Sequence, residues 1–209
     1  MSLGILGNKI GMTQIFNTKG DIIPVTIIKG GPCYITQIKL MDSDGYNALQ
    51  LGYTEINPFS NKLTKPLLGH FNKRKVLPYK FLKEYQVQNP EEYKIGEKIS
   101  INLFTVGQKI CVSGLTIGKG NASNIKRNHF SRGPMSHGSK HHRLQGSLGA
   151  GTTPGRVFPG KKMPGRLGME KCTIKNLEII GLDEKENLLI IKGSVPGKFG
   201  NLLNLKPQI

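Results

Sequence analysis

The chain lacks acid over about a third of its length. From Lys98 to Met169 there is neither Asp nor Glu, while the same 72 residues hold twelve Lys or Arg and four of the five His. A surface that only had to stay in solution would intersperse both signs. Removing one sign so thoroughly points to a partner built of negative charge, and nucleic acid is the first candidate. Other scarcities exclude further classes. Trp is absent and aromatic residues make up 7% of 209 positions, so single-strand recognition by ring stacking has little material. The three cysteines, Cys33, Cys111 and Cys172, form no CxxC pair, which argues against a zinc ribbon. They stand in apolar, strand-like runs and are expected to be buried, reduced thiols. The opening MSLGILGNKIGMTQIF has neither the layout of a secretory signal nor the Arg- and Ser-rich composition of a transit peptide. No run of about 18 apolar residues occurs, so no membrane-spanning helix is expected. The basic stretch has no matching apolar face for a membrane surface either.

What is present is a formal charge of +17 and a hydrophobic content of 37%, in a chain long enough for one large domain or two small ones. Self-repulsion at this charge opposes folding unless a polyanion neutralises it. The first 60 residues read as β. Asp21 to Lys29 is rich in branched residues and carries a Pro that suggests an edge or bulge. Cys33 to Leu40 alternates, and Tyr46 to Ile56 follows the turn signal Asp42-Ser43-Asp44-Gly45. Residues 57–96 read as an inserted segment with little core of its own. It is broken by Pro58, Pro66 and Pro78, with a short helix expected around Tyr79 to Tyr85. Strand signals resume at Lys98 to Phe104 and Lys109 to Ile117. The segment Cys172 to Lys192, with the polar turn DEKEN, has a hairpin signature. Strands on both sides of the acid-free stretch predict a closed or nearly closed barrel, residues 1–118 and 169–209, with a long loop inserted between two strands.

That loop, 119–168, has ten Gly and four Pro and no apolar periodicity beyond a short turn near Ala122 to Arg127. A loop this long is usually functional, and alone in water it has little apolar surface to offset the entropy of ordering. Within it, Pro154-Gly155-Arg156, Pro159-Gly160-Lys161 and Pro164-Gly165-Arg166 recur at five-residue spacing. Pro presets the second position of a turn and Gly accepts the positive φ that follows, so each unit reads as a bend followed by a cation. Five of the six Arg fall in the acid-free stretch: Arg127, Arg132, Arg143, Arg156 and Arg166. The planar guanidinium offers phosphate a rigid fork that an ammonium lacks. Backbone contacts to folded RNA are the expectation. His137, His141 and His142 lie beside Lys140 and Arg143 with no carboxylate near, which disfavours a metal and favours phosphate. Gly118-Lys119-Gly120 and Gly149 to Gly155 lack the remainder of a nucleotide-binding fingerprint, and two-metal chemistry has no carboxylates to use. No enzyme, cofactor, metal or small-molecule substrate is expected.

These residues resemble one family. The opening LGNKIGMTQIF, the run GKGNASNIKRNHF, the segment RGPMSHGSKHHR, the stretch GSLGAGTTPGRVFPGKKMPGRLG and the ending NLLIIKGSVPG are similar to those of ribosomal protein L three of the large subunit, in its bacterial form. The resemblance covers essentially the whole chain. It implies a mainly β fold: a translation-protein-type β-barrel with an inserted small α+β or irregular segment and a long extended basic loop. It implies a structural role in the large subunit, direct binding to 23S-type rRNA near its 3′ end, and action early in assembly. By resemblance, Gly149, Ala150, Gly151, Thr152, Thr153 and Pro154 form the arm tip near the peptidyl-transferase centre. Lys119, Lys126, Arg127, Arg132, Lys140, His141, His142, Arg143, Arg156, Lys161, Lys162 and Arg166 bind rRNA along the arm. Neighbours implied are ribosomal proteins L fourteen and L nineteen. Thr152 stands where some bacterial members carry a methylated Gln, so that modification is not expected here. The wording of GPMSHGSK and GAGTTPGRV is closest to cyanobacterial and chloroplast members, and the Ile, Lys and Asn usage suggests an AT-rich genome. A plastid stroma is therefore expected, with a bacterial cytoplasm as the alternative. A free-standing RNA chaperone is the rival reading of function.

Overall fold

The computed structural model describes residues 3–57 and 63–208; Pro58, read above as a breaker, lies outside them. In chain order the elements are β1 (Ile5–Phe16), β2 (Ile22–Gly30), β3 (Cys33–Lys39), the single turn α1 (Met41–Asp44), β4 (Ala48–Glu55), α2 (Lys65–Lys73), β5 (Tyr79–Gln86), β6 (Lys98–Ile99) and β7 (Lys109–Leu115). They continue with β8 (Gly120–Ala122), α3 (Asn124–Asn128), β9 (Gly165–Leu167), β10 (Lys171–Asp183), β11 (Leu188–Lys192) and β12 (Leu202–Pro207). The chain divides into two compact units. One runs to Leu115 and resumes at Lys171; the other is Thr116–Glu170 and contains the expected arm.

In the first unit six strands close into an antiparallel ring, in the order β1, β12, β7, β10, β11, β2 and back to β1. Register shifts interrupt three of its ladders, at Lys9/Gly11, Ile174/Leu177 and Ile179/Gly181; such bulges sharpen the local twist that closure needs. The mainly β expectation and the ring both hold. Their closure depends on β1 and β12, neither of which the sequence pattern had located. The branched residues of β2 drive Val25 and Ile28 fully inside. Pro24 stands just past the end of the β11 ladder, which stops at Val25, where a missing N–H is tolerated. The polar turn predicted after β10 is present: the Asp183 carboxylate accepts from the backbone N–H groups of Lys185 and Glu186 at 3.0 and 3.4 Å.

A four-stranded sheet, ordered β5, β4, β3, β6, packs in the same unit. Its Ile35, Leu49, Leu51 and Tyr85 join Ile5, Ile110, Val112, Ile179, Leu203 and Leu205 of the ring in one buried cluster. Two expectations for residues 57–96 are therefore corrected. Tyr79 to Tyr85 is a strand, and the helix is α2, upstream of it. Aromatic residues at 79, 81 and 85 suit a pleated, half-buried surface, and pairing with β4 from Ala48 to Glu55 outweighs helix propensity. Nor does the segment lack a core: Phe71, Tyr79 and Tyr85 are buried. The Tyr85 hydroxyl donates to Asn204 of β12 at 2.5 Å, tying the sheet to the ring.

The strand expected over Lys98 to Phe104 is only two residues long. A 3-10 turn at Ile101–Leu103 follows, closed by a Phe104 N–H to Ile101 carbonyl bond of 2.9 Å. That turn sends Ile99, Ile101 and Phe104 into the core together, which a straight strand cannot do with an odd spacing. The cysteines also differ from expectation: Cys33 is buried, Cys111 half-buried and Cys172 exposed. Residues 171–174 of β10 pair with β7 alone, since β11 joins only from Ile179, and Cys172 lies in this mostly exposed end of the strand.

Among the described residues the ion pair present is Lys39–Glu84, at 3.1 Å. Tyr46 completes it, accepting from Lys39 at 2.6 Å and donating to Glu84 at 2.8 Å. The Tyr46 and Glu84 bonds push the Lys39 ammonium above its usual range. Partial burial favours the neutral Glu84 acid, but the bonds from Tyr46 and Lys39 outweigh it and hold the carboxyl low.

Candidate nucleic-acid interface

The second unit is built on two short strands. Gly120, Asn121 and Ala122 of β8 pair with Leu167, Arg166 and Gly165 of β9, and the Lys119 N–H extends the ladder to the Leu167 carbonyl at 2.9 Å. The helical turn α3 follows β8 directly and ends at His129, whose φ of 60° reverses the chain. Only Ala122 and Asn124 are buried among its described residues. Polar bonds rather than an apolar core hold the unit together. The Asn124 amide donates to the Lys162 carbonyl at 3.2 Å, and Asn128 and Arg127 donate to the Met163 carbonyl at 3.2 and 3.0 Å. Three side chains of one helical turn thus grip the returning segment.

This divides the expected cations into two groups. Arg127 and His142 are exposed or half-exposed but pinned. A Cβ at Gly165 would lie 2.7 Å from the Arg127 guanidinium, so a glycine lets that side chain lie across the strand. His142 meets the Pro134 carbonyl at 2.9 Å through Nδ1, and its own carbonyl accepts from the Gly133 N–H at 3.1 Å. Because a carbonyl can only accept, Nδ1 carries the proton. Lys119, Lys126, Arg132, Lys140, His141, Arg143, Lys161, Lys162 and Arg166 are exposed, and no carboxylate pairs with them among the described residues. Arg156 is exposed too, its guanidinium 5.8 Å from the Phe158 ring centre. Unpaired guanidinium and ammonium groups on a weakly packed scaffold can bind a polyanion without first breaking an ion pair.

The repeat of Pro-Gly-cation units is only partly a row of bends. Gly155 and Gly160 have φ of 68° and 79°, as a turn needs. Gly165 does not; it enters β9, where ladder pairing with Ala122 prevails over local turn propensity. The segment Gly149 to Pro154 is exposed throughout, with open space around Gly149 and Gly151. Among the described residues no group of three or more His, Cys, Asp or Glu could hold a metal ion.

Residues 83–187 match the family model described as Ribosomal protein L3. Over 205 residues the chain is 56% identical to the large ribosomal subunit protein uL3c of Porphyra purpurea, covering 98% of this chain and 99% of that protein. The chain belongs to the ribosomal protein L3 family. The uL3c protein of Phaeodactylum tricornutum is 55% identical over 208 residues, covering all of both chains. The uL3 protein of Picosynechococcus sp. is 54% identical over 209 residues, covering all of this chain and 97% of that one. The family match contains the whole of the second unit and extends into β5 and the β10–β11 hairpin.

A second basic feature of this L3-family chain escaped sequence reasoning. Lys83 of β5, Lys171 and Lys175 of β10 and Lys206 of β12 line one hollow of about 690 Å³ in the first unit, with Glu84 among them. Nothing local marks them, because three strands distant in sequence bring them together. Lys206 lies 5.3 Å over the Tyr85 ring. Asn124, Asn128 and Gln145 were missed for the same reason, though three Asn in the run NASNIKRN are a weak signal of backbone capping.

Proposed function

We propose that this chain is a structural constituent of the large ribosomal subunit that binds 23S-type rRNA directly. The observation that carries the reading is a unit held by polar bonds, with almost no core, that presents ten of the expected Lys, Arg and His side chains exposed and, among the described residues, without a carboxylate partner. Such a unit gains most of its order when phosphates neutralise it. The names of its relatives, which are large-subunit proteins, support the assembly. Lys119, Lys126, Arg132, Lys140, His141, Arg143, Arg156, Lys161, Lys162 and Arg166 contact phosphate, while Arg127 and His142 brace the fold with part of their donor capacity. The exposed Gly149 to Pro154 forms the tip directed to the peptidyl-transferase centre. Lys83, Lys171, Lys175 and Lys206 let the ring unit dock on the RNA surface. Binding near the rRNA 3′ end, early action in assembly and neighbours L fourteen and L nineteen belong to the same reading. The uL3c relatives favour a plastid ribosome over a bacterial one, although a bacterial relative in Carboxydothermus hydrogenoformans is 54% identical.

The test is sedimentation of a tagged copy from lysate, with and without a high-salt wash. Retention on large subunits through the wash is expected. A protein that runs free, or that washes off readily, would favour a free-standing RNA chaperone.

A further inference from the structure

A hollow of about 810 Å³ lies entirely within the second unit, beside residues 143–148. Its walls are apolar: Leu144, Leu148 and Pro164 line it, and the two leucines are 60% and 39% exposed. Apolar walls are unexpected in a segment with so little core. Arg143 and His141 also line it, and their side-chain ends have no hydrogen-bond partner among the described residues. Gln145 lines it too. The Gln145 carbonyl oxygen receives a long bond of 3.5 Å from the buried Asn124 amide, which orients it, while its NH2 group has no partner among the described residues. The size falls within the range of small-ligand sites, about 300–1,000 Å³.

We propose that this hollow is a slot for one unpaired RNA nucleotide, with the base between Leu144, Leu148 and Pro164, the base edge on the Gln145 amide, and the phosphate at Arg143 and His141. The proposal rests on the rRNA-binding reading and adds to it a place where the protein grips a base rather than the backbone. Charge selects the occupant. An apolar peptide side chain would fill the walls but leave the Arg143 guanidinium, the His141 ring and the Gln145 amide unanswered. A nucleotide answers all three, since its base is flat and apolar on its faces and polar at its edge, and its phosphate is anionic. An amide is suited to the edge because it donates and accepts side by side. The guanidinium of Arg143 suits the phosphate through its fork.

The experiment uses the full chain and deproteinised large-subunit rRNA transcribed from a uL3c-bearing relative. Affinity is followed across a salt series, and base accessibility is mapped with dimethyl sulfate. Gln145→Leu removes the amide at similar volume, and Leu148→Ala opens one wall. Arg166→Ala serves as the backbone-contact comparison. The expected result is that the wild-type chain protects an unpaired base and that both slot variants lose this protection. They should bind about tenfold more weakly at every salt concentration, with the salt slope unchanged. Arg166→Ala should keep the base protection and flatten the slope by about one unit. Circular dichroism and the tryptic pattern of each variant, matched to wild type, establish that the fold is retained. Wild-type binding with a steep salt slope but no base protection, or slot variants indistinguishable from wild type, overturns the slot and leaves the rRNA-binding reading standing. Absence of rRNA binding by the wild-type chain overturns both. Protection of the slot by a protein in whole subunits, with the base accessible there, overturns the slot in favour of a peptide occupant.

Discussion

At the scale of single residues, two buried polar groups have roles that can be measured. The Cys33 thiol is fully buried and burial pushes its pKa up to about 11 from 9.0, against a weak bond to the Leu6 carbonyl. The folded state therefore keeps this proton at pH values where the unfolded chain has lost it. Stability from this group is full below pH 9 and is lost as pH rises from there toward 11, by about 2–3 kcal/mol over the whole window. Chemical denaturation at pH 8, 9 and 10 should show that decline, and Cys33→Ala, although less stable at pH 8, should show a flatter one. Parallel slopes in the two proteins would remove Cys33 as the cause. Asn124 is the other case. Its replacement by Ala leaves the Lys162 carbonyl without its donor, at a cost of about 1–3 kcal/mol. Because the bond lies within the second unit, hydrogen exchange should quicken there while the melting of the ring unit stays unchanged.

At the scale of elements, strand pairing overruled local preference at residues 79–85 and at Gly165, but only the first of these is backed by a buried core. Residues 79–85 look helical in a one-dimensional reading because Lys80, Leu82, Lys83 and Glu84 are good helix formers. The aromatic residues on alternate positions decide otherwise once β4 is present to pair with them. Tyr85→Phe removes the bond to Asn204 and should lower stability by about 1 kcal/mol. Tyr85→Ala also empties a fully buried site and should cost about 3–5 kcal/mol. Equal losses in the two variants would mean that the ring of Tyr85 contributes no packing. The arm, with two buried residues, has no comparable reserve. Limited trypsin digestion of the isolated protein should cut first between Lys119 and Gly168 while the ring unit survives, and added large-subunit rRNA should suppress those cuts. Equal resistance along the chain would contradict ordering by RNA.

At the scale of the whole molecule, charge is the governing quantity. If the arm neutralises about six to ten phosphates, affinity for large-subunit rRNA should fall by roughly three to five powers of ten between 50 and 200 mM salt, on a scale drawn from duplex DNA. Arg156→Ala and Arg166→Ala should each reduce the salt slope and impair subunit assembly. Lys185→Ala, in the exposed β10–β11 turn, should do neither. Equal effects of the three would mean that arginine placement in the arm carries no information.

Much of this was legible in the sequence, and the boundary is physical. Net charge, the acid-free stretch, the clustering of Arg and the alternation of Cys33 to Leu40 or Lys109 to Leu115 are local properties. They survive in an unfolded chain, so composition and periodicity alone determined that the protein is mainly β, strongly basic and interrupted by a long acid-free stretch. Family membership was likewise written in contiguous runs such as GKGNASNIKRNHF. Partner choice is not local. That β1 and β12 close the ring, that Cys172 faces solvent, that Lys83, Lys171, Lys175 and Lys206 share one hollow, and that Arg127 grips the Met163 carbonyl all depend on segments tens to hundreds of residues apart. Only the tertiary structure decided these, because a hydrogen bond or a buried face acquires its energy when the second partner arrives, and sequence spacing does not say which partner that is.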